Sequence, residues 1–389
     1  MNELIDVVGP PSRLSVLLQH FSQIEDDRTP WRVDHPLPEV LLLVVCGTIC
    51  DCDDFESIAD WGEGHLDFLR TVLPFRNGVP TGRWLNILMN RMDPALFAEC
   101  FAGWVREVWP DQVDLVAIDG KTSRRSHDRS KGVAALHMVS AFATARRLVL
   151  GQEPVPDKAN ELAAIPILLQ RLGASGHLTE ALVSIDAIAC NANIAQEILS
   201  SGANYILAVK KNQPGLRDEI ESLFETADAN ALEGYTDTDK GHGRLEQRTI
   251  TVCRQTDWLI GDRRFPGENR FPNPATVIKV ASRTEIKQAV RTDERYYISS
   301  ATLSAQDAAN AVRSHWAIEN TLHWVLDVTF NDDMSRTRTG HGAKNMAVVR
   351  HFAFNLIRSI TDKRPIKRRR KRAAWDMAYL CKIIDVKNL

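Results

Sequence analysis

The sequence predicts an α/β protein: a mixed sheet with helices on its faces, preceded by a helical region. Three observations carry that reading. Residues 1–110 place apolar side chains at helical spacing. From Val113 the texture changes to short β-type runs and helical patterns, in the order strand, strand, strand, helix, strand, helix, strand. Three strands followed by βαβ crossovers give a mixed sheet. Residues 210–295 break that rhythm and read as a β-rich insertion.

The elements follow in chain order. Residues 14–21 form a short amphipathic stretch, and residues 38–50 a buried helix with Pro38 in its first turn. Asp53 or Asp54 caps the next helix, which carries Phe55, Ile58, Ala59 and Trp61. Asp93-Pro94 opens another, with Leu96, Phe97, Cys100, Phe101, Trp104 and Val105 at helical spacing. Packing is the simpler role for this region, and binding of DNA ends the alternative. Strands are expected at 113–118, 137–144, 147–153, 181–185 and 205–209, and helices at 158–172 and 194–199. Within the insertion, 215–229 reads as a helix and EGYTDTDKGHGR (233–244) as a polar stretch. Residues 248–253 and 275–281 read as β-type runs, and 265–274 as a Pro/Gly-rich loop. A return strand at 295–299 precedes a capping box from Ser304 to Asp307. The helix it opens has Ala311, Ile318, Leu322 and Val325 on one stripe, and a last helix spans 343–360. The chain divides into 1–110, 111–362 with its insertion, and a basic tail at 363–389.

Composition excludes several classes. Hydrophobic content of 44% and charged content of 25% are ordinary globular values. They exclude a disordered tail protein, a collagen-like fibre and a disulfide mini-scaffold. The seven cysteines are odd in number and irregularly spaced, and no second Cys/His pair follows Cys46, Cys50 and Cys52 at zinc-site spacing. Buried thiols in a reducing cytoplasm are expected. The opening MNELIDVVGPP lacks a signal-type pattern. The longest apolar run, 40–50, is far short of the ~20 residues a membrane helix needs, so no membrane partner is indicated. The chain carries 48 basic and 50 acidic residues; 10 and 2 of these lie from Lys363 onward, leaving a net −10 on the rest. A basic end on an acidic body suggests a polyanionic partner touched at particular places.

The candidate chemistry lies in carboxylates. Asp119 ends one strand and is followed by Gly120-Lys121; Asp186 ends another. An Asp at the C-terminal end of a strand projects into the crevice where open α/β sheets bind ligands. On neighbouring strands two such carboxylates would repel, so one holds a proton or a cation sits between them. Hard oxygen donors suit Mg²⁺, and two such ions can activate a nucleophile and stabilise the leaving oxygen of a phosphodiester. Each Asp alone could equally be a loop or cap residue; the matching contexts favour the pair. Glu319, at the edge of the buried stripe, is the third candidate, its alternative being an i,i+4 contact with His315 or His323. Zinc on that face is disfavoured, because His315 and His323 stand ~12 Å apart along the axis. Trp316 and Trp324 read as core, with base stacking as the alternative. Basic residues cluster at Lys121, Arg124 and Arg125, at Lys210 and Lys211, and at Arg313, Arg336 and Arg338 around Glu319. The densest run is KRPIKRRRKR (363–372), which includes Lys367, Arg368, Arg369 and Arg370. That density favours nucleic acid over a merely solvated run. The Walker pattern is absent, so ATP is not indicated.

The blocks VAIDGKTSRRS, SIDAIACNANIAQEILSSGANYILAVKKNQP and RSHWAIENTLHWVLDVTFNDDMSR, in that order, resemble those of the H-repeat-associated insertion-sequence transposases, ISAs-type members of the DDE transposase superfamily. The N-terminal region and the basic end are also similar, so the resemblance spans nearly the whole chain. It implies an RNase H-like mixed-sheet catalytic core with a β-rich insertion and a helical N-terminal domain. It implies Asp119, Asp186 and Glu319 as catalytic acids and as ligands of two Mg²⁺ or Mn²⁺ ions. It further implies cleavage of element ends to a 3′-hydroxyl and its transesterification into target DNA. Lys121 and the Arg clusters would hold phosphates, and double-stranded DNA would be bound by a homodimer at the nucleoid. Related transposases carry Tyr, Arg and Lys around the third acid, where this chain has Val312, His315 and Leu326; His315 would then be the phosphate contact. The family block FNED reads FNDD here, with Asp332 and Asp333. The alternatives are a domesticated RNase H-like nuclease or recombination factor, and a DNA-binding relic without chemistry.

Overall fold

A computed structural model describes residues 11–155, 161–241, 244–260, 271–286 and 289–386. The opening decapeptide, the start of the helix expected at 158, His242 and Gly243 of the polar stretch and most of the loop expected at 265–274 lie outside the described residues. Six helices come first: α1 (Arg13–Ser22), α2 (Leu37–Ile49), α3 (Phe55–Gly64), α4 (Leu66–Val72), α5 (Gly82–Arg91) and α6 (Pro94–Val108). Their starts are set locally. The side chains of Asp54, Thr81 and Asp93 accept the backbone N–H of Ser57, Trp84 and Ala95. Pro38 and Pro94 occupy first turns, where a missing N–H costs nothing. Helix α2 is apolar on nearly every side and is buried on nearly every side.

The sheet begins with β1 (Leu115–Ser123), β2 (Leu136–Ala143) and β3 (Leu148–Val155), an antiparallel meander. Helix α7 (Glu161–Ala174) leads to β4 (Leu182–Ile185), and α8 (Ala192–Ser200) to β5 (Asn204–Val209). β4 lies parallel to β1, and β5 parallel to β4. The resulting order β3-β2-β1-β4-β5 is the expected RNase H-like mixed sheet.

The insertion continues this sheet. After α9 (Pro214–Thr226) come β6 (Leu232–Gly241), β7 (Arg244–Cys253), a short α10 (Asp257–Ile260), β8 (Thr276–Ile286) and β9 (Ala289–Ser299). β9 pairs antiparallel with β5, and β8, β7 and β6 follow outward, giving nine strands in one sheet. Strand β6 replaces the polar stretch expected there. None of residues 232–240 is buried, because β6 is the outer edge; Tyr235 alone of its apolar side chains beyond Leu232 packs on the core, so little apolar alternation marks its sequence.

Helix α11 (Ala305–Ala317) opens as expected, with Ser304 Oγ accepting the Asp307 N–H at 3.0 Å. It runs into a π-helical turn at Ile318–His323 and then α12 (Trp324–Val328). Helix α13 (Gly342–Ser359) is almost wholly buried and joins the two halves of the molecule. Its Phe352 packs on Phe21, Phe97, Phe101 and Trp104 of the N-terminal helices. Its Asn355 bonds both main-chain groups of Val149 in β3. The N-terminal helices and the sheet therefore share one apolar core.

Two expectations change here. Trp316 and Trp324 are not core; they are 40% and 57% exposed, because the buried stripe of their helix runs through Ile318, Leu322 and Val325 instead. The basic end is not a tail. It folds into α14 (Ile366–Trp375) and α15 (Met377–Ile384), held on the body by Ile366, Ala373, Leu380, Ile383 and Ile384.

Candidate active site

Register brings the first two acids together. The parallel pairing of β1 with β4 runs from Leu115–Leu182 to Ile118–Ile185 and stops there. The next residue on each strand is Asp119 and Asp186. They stand at one level and on one face, on strands ~4.8 Å apart. β4 ends at that point, but β1 does not. Asp119 is mid-strand, since β1 stays paired with β2 as far as Ser123. The strand end expected at Asp119 is therefore the end of one pairing only.

Glu319 comes from the π-turn between α11 and α12. Such turns are rare and occur mostly at functional positions. Ile318 and Leu322 anchor the turn in the core, and Glu319 faces out beside Asp186. Burial raises the Glu319 carboxyl pKa, and the Asp186 charge raises it further. Asp119 is pushed up to about 7, first by burial and then by the charges of Glu319, Glu161 and Asp186, against the pull of the Gly120 N–H on its Oδ1 at 2.8 Å. Burial also opposes the Asp186 charge, yet its pKa is held low by Lys210, whose Nζ sits 2.8 Å from Asp186 Oδ1.

Two histidines flank the acids. His315 Nδ1 lies 2.9 Å from Ser184 Oγ, and burial lowers its pKa. His323 Nδ1 lies 3.5 Å from Asp119 Oδ2. Burial, with Lys121 nearby, drops His323 to about 3, so it is neutral, and its Nε2 is buried without a partner. A cavity of about 510 Å³ opens beside Asp186 and Glu319, walled by Lys210, Arg295, Tyr297 and Trp316. The Arg295 guanidinium lies over the Trp316 ring at 5.4 Å. No charge or spacing pattern in the sequence marks Ser184, Arg295 and Tyr297 as site neighbours, although Ser184 lies in the second of the quoted blocks. Only the pairing of β9 with β5 brings Arg295 and Tyr297 there.

The donor set fits a hard divalent cation. Carboxylates from β1, from the end of β4 and from the π-turn lie near enough for their charges to raise one another's pKa, and the most buried of them is hard to ionise without an added positive charge. Asp119, Asp186 and Glu319 are the residues that would hold it.

The expected phosphate contacts divide into two groups. The Lys121 side chain is only 9% exposed, and its Nζ lies 2.6 Å from Asp332 Oδ2 and 2.7 Å from Asp327 Oδ1. Asp332 also takes Arg350 at 2.7 Å and Ser123 at 2.6 Å. Lys121 is thus an internal counterion and has no free face for phosphate, while Asp332 is fully engaged. Arg369 and Arg370 are likewise buried. Arg369 donates to the carbonyls of Ile357, Ile360 and Arg364, and Arg370 to those of Thr48 and Thr329 and to Asp53, over the Phe330 ring. A helix alternates its faces, so the basic run supplies both these internal arginines and an exposed stripe containing Lys367, Arg368 and Lys371. Lys211 and Arg336 are exposed, Arg124 pairs loosely with Asp333, and Arg313 pairs with Asp237.

Among the described residues, no helix is long and apolar enough to cross a membrane. Residues 18–105 match the family model of the region associated with DDE transposases, and residues 112–356 match that of the transposase DDE domain. YhhI of Escherichia coli K12, an H repeat-associated protein named as a transposase, is 38% identical over 375 residues, covering 95% of this chain and 98% of its own. YbfL of the same strain has the same identity and coverage. A shorter relative from that strain, YbfQ, named an inactive transposase, is 43% identical over 67 residues, 17% of this chain and 80% of its own. Among solved structures, a piggyBac transposase synaptic complex with hairpin DNA covers 97% of this chain and 79% of its own at 11% identity, with a TM-score of 0.41. This chain belongs to the family of transposases with a DDE domain.

Proposed function

We propose that this chain is a catalytically competent transposase that cuts the ends of its insertion sequence and joins the freed 3′-hydroxyl to target DNA. The observation that supports it most is the register of Asp119 and Asp186 at the end of one parallel pairing, with Glu319 brought over them by the π-turn. Divalent ions held by these three acids would supply Lewis acidity, lowering the pKa of the attacking water or 3′-hydroxyl and steadying the leaving oxygen. The chain's own residues do the rest. Neutral His323 leaves Asp119 free of a competing cation, and His315, fixed by Ser184, fills the place of a cationic family residue beside Glu319. Lys210, Lys211, Arg124, Arg313, Arg336, Lys367 and Arg368 are the cations placed to meet phosphates, positioning the duplex without reading its sequence. Two protomers on paired element ends would form the working unit.

The inactive-relic reading draws on the name of YbfQ, on the FNDD change and on the lost basic neighbours of the third acid; the intact acid set favours an enzyme, and inverted repeats flanking the coding region would favour the transposase over a domesticated nuclease. The test is nicking and end cleavage of DNA carrying the element's ends, with Mg²⁺ or Mn²⁺, beside Asp119→Ala, Asp186→Ala and Glu319→Ala. Cutting by the wild type, abolished by each substitution with DNA binding retained, is expected. A wild type that binds its ends and never cuts them would establish the relic.

A further inference from the structure

The crevice at Asp119 has a wall that the three acids do not form. Glu161, the first residue of α7, buries its carboxylate, leaving 6% exposed. It lies over Gly120, the neighbour of Asp119. A Cβ at position 120 would run into Glu161 Oε1 and His137 Nε2, so glycine there reflects close approach. His137 Nε2 stands 2.5 Å from Glu161 Oε1, and Thr122 Oγ1 stands 2.7 Å from His137 Nδ1. A carboxylate this buried is costly unless it is hydrogen-bonded, and an apolar residue would fill the same space more cheaply. Here the acid is held by an imidazole that is itself held from behind, and its charge reaches Asp119 together with those of Glu319 and Asp186.

We propose that Glu161 is a fourth carboxylate of the Asp119 site: a positioning residue, fixed by His137 and Thr122, that strengthens the site's hold on a divalent cation. The proposal rests on the Asp119–Asp186–Glu319 reading. Glu161 acts through its field and through its seat on Gly120, whose N–H orients Asp119. It makes no direct contact with the reacting atoms. Supporting residues around metal ligands typically change affinity by roughly 10–100-fold when removed.

The test is Mn²⁺ binding by the full-length protein without DNA, followed by the loss of the free-ion paramagnetic resonance signal. Variants are E161Q, E161D, T122V, D119N and D186N, each with its thermal unfolding midpoint. E161Q should bind Mn²⁺ roughly tenfold more weakly, near the lower end of that range. E161D should recover part of the loss, and T122V should weaken binding in the same direction but less. If E161Q binds like the wild type while D119N and D186N lose the ion, the proposal is overturned and the three-acid site stands. If D119N and D186N also bind like the wild type, or the wild type takes up no Mn²⁺, both readings fall. If E161Q does not fold, T122V decides: a folded T122V with unchanged Mn²⁺ affinity overturns the proposal.

Discussion

Two groups of three carboxylates among the described residues are built in opposite ways. Asp327, Asp332 and Asp333 bring oxygens within 4.8 Å of one another, and Lys121 reaches all three, with Arg350 on Asp332 and Arg124 on Asp333. Among the described residues, Asp119, Asp186 and Glu319 share no such resident cation; Lys210, half-exposed, touches Asp186 alone. The consequence is visible in their proton affinities. Burial opposes ionisation of Asp332, yet Arg350 and Lys121 bring it down to about 2, whereas Asp119 rises to about 7. A cluster that contains its own cations is part of the scaffold. A cluster that lacks them has room for a cation from outside. The tighter group is the one already filled by the protein's own cations.

The comparison can be broken first at the acids. Asp119→Ala, Asp186→Ala and Glu319→Ala should each lower end cleavage by roughly 10³-fold or more without lowering the unfolding midpoint. A comparable loss of stability would move these residues into the scaffold class. Lys121→Met should do the reverse. It strands buried Asp332 with one cation fewer and should cost about 3–5 kcal/mol in a denaturant titration. Arg370→Ala should cost a similar amount, because it opens the carbonyls of Thr48 and Thr329 and takes the guanidinium from Asp51 and Asp53.

The two clusters should also tilt the stability curve in opposite directions in metal-free protein. Asp332 has a lowered folded pKa, so its contribution is present above about pH 4 and is lost as the pH falls towards about 2. Asp119 has a raised folded pKa, so the native state holds the extra proton and stability declines as the pH rises from about 4 to about 7. Urea midpoints across that range should show the decline in the wild type and a flatter curve in Asp119→Asn. An unchanged slope in the variant would detach Asp119 from the decline. The smallest effects belong to the exposed face of α14. Lys367→Ala and Arg368→Ala should leave stability within about 0.5 kcal/mol and each reduce the salt dependence of DNA binding by about one phosphate contact.

These contrasts also show what a single sequence discloses. The mixed sheet was readable because β2, β4 and β5 are buried apolar runs between turn signals, and β6 was not, because little apolar alternation marks this edge strand. Asp119 and Asp186 stood out as acids after apolar runs, but their shared level depends on a strand register that no local pattern encodes. Glu319 was visible at the rim of a stripe, while the π-turn that presents it was not. Lys121 and Arg370 were misread for one reason. Their carboxylate partners Asp332 and Asp53 lie 211 and 317 residues away, and a cation is taken as solvated until its carboxylate is known. In KRPIKRRRKR, composition reports eight charges, and only the helix phase on the body separates Arg369 and Arg370 from Lys367 and Arg368.

The most direct test of the central contrast is the anomalous scattering of Mn²⁺ in crystals of the protein bound to its element ends. Peaks between Asp119, Asp186 and Glu319, with none at Asp327, Asp332 and Asp333, are the result predicted here. A peak in the Asp332 cluster, or none at Asp119 in a complex that has cut its DNA, would contradict it.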